Sequence, residues 1–306
     1  MPYYTMQDNE QLYVREFGRG QPVFVLSGLG MQSWQWLPFL YHLKNKYHFI
    51  IPDWRGFGGS KNCAIPQTDA ISSHWQDLNT LIKHKQFEKF KLIGYSMGAT
   101  TAMHGMKYGD LPQHLISYLH IDQTPKITVD ATWQYGLFGQ KQAEFKKLLT
   151  QISTFLNQHR DFTYVESLDL EKCHTLVGLW AEFIAFQSSN KLSPFLFKLA
   201  LNKPKLQKYI LPIHRLDYLA WYIDNYLYHN EDYRQTIASL NCPTTFFSGE
   251  LSTLYPIKGQ KLIAQSVDHS QQVIFKKSGH TPLISEPIKF TKEIHQFLHH
   301  VDEHVV

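Results

Sequence analysis

Five residues, Gly94-Tyr95-Ser96-Met97-Gly98, follow the strand-like run Lys91-Leu92-Ile93 and spell G-x-S-x-G. Between a buried strand and a helix, this pattern makes a sharp turn that thrusts the serine hydroxyl out of the sheet edge. The small residues two places either side let strand and helix pass close together. The pentapeptide is short enough to arise by accident, so its meaning depends on the segments around it.

Those segments alternate in type. Gln11 to Phe17 alternates apolar and polar residues, as a half-buried strand does. Pro22 to Leu26 and His48 to Ile51 are short apolar runs that end at Ser27-Gly28-Leu29-Gly30 and at Pro52-Asp53. Ser33 is placed to cap a helix with Trp36, Leu37, Leu40 and Leu43 on its apolar face. Ile71 to His84 has helical periodicity, Phe90 to Ile93 leads into Ser96, and Leu115 to Ile121 is a further strand ending at Asp122. From Thr124 to Leu240 the chain is dense in Trp, Tyr, Phe and Leu, with helical segments such as Ala143 to His159 and Leu176 to Phe186. Strand character resumes at Thr244 to Ser248 and Gln272 to Phe275, and Pro287 to Leu298 closes as a helix. Strands separated by helices predict an α/β fold with a mostly parallel sheet covered on both faces. The expected division is a core of residues 1–123 and 241–306, interrupted by a helical cap at 124–240.

Composition narrows the function classes. The formal charge of +4, from 30 basic and 26 acidic side chains, is too small an excess to argue for nucleic acid. Cys63, Cys173 and Cys242 are widely spaced, which argues against a disulfide scaffold or a thiolate zinc site. The 17 histidines include His299-His300 near the end of the chain but no H-x-x-x-H with an intervening glutamate. No stretch reaches transmembrane length and no secretory signal is evident, so the expectation is a cytoplasmic protein without stable membrane insertion.

The chemistry centres on Ser96. A serine hydroxyl is a poor nucleophile at neutral pH and needs a base beside it. His280 follows the last strand, where its ring can return to the sheet edge, and histidine titrates in the range that lets it take and return a proton. The base in turn needs an acid to fix its tautomer and stabilise the imidazolium. Asp122 ends the preceding sheet strand on the same edge and is the favoured acid; Glu250, after the strand Thr244 to Phe247, is the alternative. Asp122 also has a purely structural reading, as a cap for the segment beginning Gln123-Thr124. The backbone N–H of Met97, at the start of the helix, and that of Leu29, in the glycine loop, are the expected oxyanion donors. Trp34 and Trp36 are candidates for lining the pocket, Trp36 equally for helix packing.

These residues resemble the α/β-hydrolase family over nearly the whole chain. Asp53-Trp54-Arg55-Gly56-Phe57-Gly58-Gly59-Ser60 is similar to the family's D-x-R-G-x-G-x-S loop, and Ser278-Gly279-His280-Thr281-Pro282, followed by Glu286-Pro287, to its histidine segment. In that setting Asp53 and Arg55 are structural, tying their loop down. Many members carry His-Gly where this chain has Ser27-Gly28, and Ser252 stands close to the usual acid position. The phrase Asp122-Gln123-Thr124-Pro125-Lys126 resembles the subset that places its acid after the earlier strand.

The resemblance implies a serine hydrolase that cleaves a largely apolar or aromatic carboxylic ester or thioester through an acyl-enzyme. That chemistry requires no metal or organic cofactor. Two other readings remain open at this level. One is a cofactor-free dioxygenase acting on a hydroxy-heteroaromatic substrate through the His-Asp pair. The other is a binding protein that keeps the pocket without turnover.

Overall fold

The computed structural model describes residues 2–187 and 215–300. Eight strands form one sheet: Tyr3–Thr5 (β1), Gln11–Gly18 (β2), Gln21–Leu26 (β3), Tyr47–Pro52 (β4), Phe90–Tyr95 (β5), Leu115–Ile121 (β6), Thr244–Gly249 (β7) and Ser270–Phe275 (β8). Their order is β1-β2-β4-β3-β5-β6-β7-β8; β1 and β2 run antiparallel to their neighbours and every later pairing is parallel. The helices that position the site are Ala70–Lys85 (α1), Met97–Tyr108 (α2), Gln142–Gln158 (α3), Leu170–Gln187 (α4), Leu216–Tyr228 (α5), Ile257–Gln265 (α6) and Pro287–His300 (α7).

Strand alternation divides the core in two. Successive side chains on a strand point to opposite faces. Phe24 and Leu26 of β3, Ile50 of β4 and Leu92 of β5 join one apolar cluster with α1, α2 and the segment between β6 and β7. Val23 and Val25, Phe49 and Ile51, and Ile93 join the other, packed against Trp36, Leu40 and the Phe290 and Ile294 face of α7. Burial on both faces explains why β3 and β4 read as short apolar runs. The sequence between β6 and β7 contributes α3, α4 and α5 as an inserted helical region, and its apolar side chains continue the first cluster rather than enclosing a separate one. The residues numbered 188–214, within the expected insertion, lie outside the described residues.

Several local expectations change. Ser33 does not cap a helix: Gln32 holds the cap position, while the buried Ser33 donates its N–H to Asp53 Oδ1 at 2.6 Å and its Oγ accepts from Arg15 Nε. The expected helix after it is broken into the short turns Ser33–Trp36, Leu37–Leu40 and Tyr41–Leu43, with Pro38 in the middle one. Leu37 is only half-buried, and Phe39 takes its place in the core. β2 does not alternate cleanly, since Leu12, Tyr13 and Val14 are all buried. Strand β1 went unread because three residues, Tyr3–Thr5, are too few to show a period.

The loop Asp53 to Ser60 is anchored by polar contacts. Asp53 accepts from Ser33 and Gly59 N–H groups, and the buried Arg55 forks onto Asp77 at 2.7 Å twice and onto Asp8. From the insertion, Tyr222 donates to Arg55 O at 2.8 Å and Tyr218 to Cys63 O at 2.8 Å, so α5 is riveted to this loop.

Buried histidines make the fold sensitive to acid. Burial pushes His74 down to about 3, and His120 and His229 down to about 4, from an ordinary value of 6.5. The folded chain keeps these rings neutral, whereas the unfolded chain protonates them below pH 6.5. The unfolded state therefore binds more protons between pH 6.5 and about 4, so stability is full above that window and falls as acid is added. Each ring contributes a slope of up to about 1.4 kcal/mol per pH unit within it. Urea unfolding at pH 7, 5.5 and 4.5 should show this loss, and His74→Phe, which keeps the stack on Trp54, should make it shallower. An unchanged slope in that variant would remove His74 from the account.

Candidate active site

Ser96 lies between β5 and α2 with φ of 51° and ψ of −120°, a conformation that side-chain-bearing residues rarely adopt. The turn survives because its surroundings leave no alternative. A Cβ on Gly98 would sit 2.2 Å from Leu26 O, so only glycine lets α2 pass this close to β3. Ser96 is 5% exposed, and its carbonyl accepts from the Ala99 and Thr100 N–H groups, which locks it to the first turn of α2.

His280 reaches the serine from the loop after β8. Its Nε2 is 2.9 Å from Ser96 Oγ and its Nδ1 is 3.1 Å from Asp122 Oδ1. A carboxylate only accepts, so Nδ1 carries the ring proton and Nε2 is left to accept from the serine hydroxyl. The imidazole is clamped from two sides. Tyr95 stacks on it at 5.4 Å and donates its hydroxyl to His280 O at 3.0 Å, and Tyr255 meets it edge-on at 5.4 Å. The loop itself is pinned by Glu286, whose Oε1 accepts from Lys277 N–H and Ser278 Oγ–H.

Asp122 is completely buried at the end of β6, with φ of 40°. Its Oδ2 accepts from Gly249 N–H at 2.8 Å, and its Oδ1 accepts from Ser252 Oγ–H at 2.8 Å as well as from His280. A Cβ on Gly249 would lie 2.0 Å from Gly279 O, so this glycine is what allows the β7 loop and the histidine loop to close around the acid. Capping of the segment after Asp122 is therefore not its use, since both carboxylate oxygens face the β7 and histidine loops. Glu250 is exposed; its N–H bonds to Phe275 O, and no bond between its carboxylate and His280 is found among the described residues.

Met97 is the first residue of α2, where an N–H has no partner within its own helix. Leu29 lies in the turn closed by Met31 N–H on Gly28 O, and this turn borders Ser96. Ser27, in place of the family's histidine, is held from behind: its Oγ accepts from Trp36 Nε1 at 3.0 Å and its carbonyl from Trp54 Nε1 at 2.7 Å. Trp36 thus serves packing. Trp34 is 53% exposed, bonds to Gln32 and does not line the cavity, because the short turn at Ser33–Trp36 points it outward.

Above Ser96 lies a cavity of about 370 Å³, bounded by Leu29, Tyr255 and His280 from the core and by Phe138, Phe145, Trp180, Phe183 and Tyr226 from the insertion. Aromatic density in the insertion was legible in the sequence, but which of those rings faces the serine was not. Ser252 carried a signal, since it stands near the usual acid position; Gly249, Tyr95 and Tyr255 carried none.

The match to the model of the α/β hydrolase fold extends over residues 21–287. The chain belongs to that family. It is 24% identical over 288 residues to the pimeloyl-[acyl-carrier protein] methyl ester esterase of Legionella pneumophila (strain Corby), covering 94% of this chain and 99% of the relative. It is 23% identical over 295 residues to the protein of the same name from Aliivibrio salmonicida, covering 96% and 98%. Among solved structures, an esterase from Exiguobacterium antarcticum superposes with a TM-score of 0.69 at 19% identity, covering 97% of this chain and 98% of its own. The enol-lactonase from Burkholderia xenovorans LB400 does so with the same TM-score at 14% identity, covering 97% and 99%. No described helix is long and apolar enough to cross a membrane.

Proposed function

We propose that this enzyme hydrolyses a carboxylic ester with a largely apolar acyl group, through an acyl-enzyme on Ser96. The observation that carries the reading is the imidazole of His280 bridging Ser96 Oγ and a buried carboxylate at hydrogen-bond distance on both sides. Ser96 Oγ attacks the ester carbonyl as its proton passes to His280 Nε2, and Asp122 stabilises the imidazolium that forms. The N–H groups of Leu29 and Met97 receive the oxyanion. Collapse expels the alcohol, which leaves with the proton from His280; water then attacks the acyl-enzyme by the same route and restores the serine. In this reading Asp122 is the acid, as in family members that use the earlier strand, and residues 124–240 act as a cap that closes the acyl pocket.

The cavity supports an acyl chain or ring as substrate, since its walls are chiefly Leu, Phe and Tyr side chains. The name shared by the sequence relatives makes a pimeloyl methyl ester the first substrate to try. A panel of methyl and p-nitrophenyl esters graded by acyl length should show kcat/KM rising with length until the cavity is filled. Stoichiometric labelling of Ser96 by a fluorophosphonate should accompany it. A folded protein that neither labels nor turns over any ester would leave the binding-protein reading, and oxygen uptake with a hydroxyquinolone would favour the dioxygenase.

A further inference from the structure

A buried indole N–H normally finds an acceptor inside the protein. Trp36, Trp54 and Trp133 each do so, donating to Ser27 Oγ at 3.0 Å, Ser27 O at 2.7 Å and Thr124 Oγ1 at 3.0 Å. Trp180 is comparably buried, at 4% exposed, yet its Nε1 has no hydrogen-bond partner. The ring stacks on Phe183 at 4.5 Å along α4 and lines the cavity above Ser96. Tyr226 of α5 lines the same cavity, and its hydroxyl makes no hydrogen bond among the described residues. Burial pushes this phenol up to about 12, so it keeps its proton and stands as a donor. The rest of the insertion side of the wall is hydrocarbon, from Leu137, Phe138, Phe145, Phe183 and Ile184. Two donors without acceptors thus interrupt an otherwise apolar surface.

We propose that the cavity takes an acyl group carrying a second, neutral acceptor oxygen, received by Trp180 Nε1–H and Tyr226 O–H. This deepens the serine-esterase reading and rests on it. Both rings border the cavity, so the acceptor that the protein does not supply is one that the substrate brings in. That oxygen is not the oxyanion, whose donors are the Leu29 and Met97 N–H groups of the core, whereas α4 and α5 belong to the insertion. It therefore lies on a part of the acyl group other than the ester being cut. The acceptor is neutral because, among the described residues, no Lys or Arg lines the cavity. A carboxylate buried without a cation costs far more than a carbonyl. A ketone, a second ester or a thioester carbonyl has the right chemistry, with lone pairs for a donor and no charge to desolvate. A plain hydrocarbon chain of the same length leaves both donors bare, and a bare buried donor costs more than a made hydrogen bond returns.

The test compares methyl octanoate with methyl oxo-octanoates whose keto group is moved along the chain, and dimethyl suberate with monomethyl suberate. The wild-type enzyme should prefer one keto position over methyl octanoate by about three- to tenfold in kcat/KM, the yield of one net hydrogen bond. Dimethyl suberate should be cleaved faster than monomethyl suberate at neutral pH. In Tyr226→Phe and in Trp180→Phe the preference for the keto chain should disappear. The readout is a ratio of two substrates on one protein, so a packing defect that slows both alike leaves it in place. A keto preference that survives in both folded variants overturns the proposal. So does a wild type that favours methyl octanoate over every keto position, or one that cleaves monomethyl suberate the faster. Should either variant not fold, the wild-type keto series and the remaining variant decide by the same criteria. A wild type that cleaves none of these esters and fails to label at Ser96 refutes the esterase reading, an outcome distinct from cleavage of all of them without a keto preference.

Discussion

Ser96→Ala is expected to lower kcat about 10⁶-fold while leaving a folded protein that still binds substrate in the cavity. The residue is buried against a helix start, and Ser96→Ala keeps its backbone bond to Ile121 O and removes only the hydroxyl that meets His280, so the loss belongs to chemistry. The same position yields a second result of opposite sign. At φ of 51° and ψ of −120° a side chain is strained, typically by about 1–3 kcal/mol. Ser96→Gly relieves that strain, offset by the greater freedom glycine has in the unfolded chain, about 0.5–1 kcal/mol. It should therefore be as inactive as Ser96→Ala yet more stable by about 1 kcal/mol. Chemical denaturation of the two inactive variants side by side measures this, and a less stable glycine variant would show that the turn holds no strain worth relieving.

Asp122→Asn should lower kcat about 10⁴-fold with little change in stability, because asparagine tolerates the positive φ but offers an N–H where the imidazole needs an acceptor. Glu250→Gln, at an exposed side chain, should leave kcat unchanged. The geometry permits a sharper test. Ser252 Oγ is 2.8 Å from the carboxylate oxygen that holds His280 Nδ1. With Asp122→Gly opening that space, Ser252→Asp brings a carboxylate one bond further along the same line. The double variant should recover about tenfold over Asp122→Gly alone, or about 1.4 kcal/mol of transition-state stabilisation. No recovery, with both variants folded, would mean that the direction of approach matters as much as the presence of an acid.

Much of this architecture was legible because it follows from short-range rules. Apolar runs of strand length separated by helical periodicity led to the parallel sheet, and the glycines of the serine turn and the Asp53 loop marked where the backbone must bend or pack tightly. Ser96, Asp122 and His280 were legible as ends of strands that share one sheet edge. The reading failed where meaning depends on what lies across space. Ser33 has the composition of a cap, yet its N–H is taken by Asp53, twenty residues on. Trp34 has the composition of a pocket wall, yet a broken helix turns it toward solvent.

Alone, the chain's residues determined that a serine must stand in a strained turn at a sheet edge, because that pentapeptide after a buried strand leaves the backbone little else to do. They also determined that a histidine and a carboxylate would emerge at the same edge. Tertiary structure alone decided which carboxylate meets the histidine. Asp122 and Glu250 both follow sheet strands, but only Asp122 is enclosed by the Gly249 N–H and the Ser252 hydroxyl, and an acid is fixed by the donors around it. Tertiary structure likewise placed Tyr255 in the wall of the cavity above Ser96, since a residue 159 positions along the chain can line the same cavity only once the sheet has brought β5 and the β7 loop together.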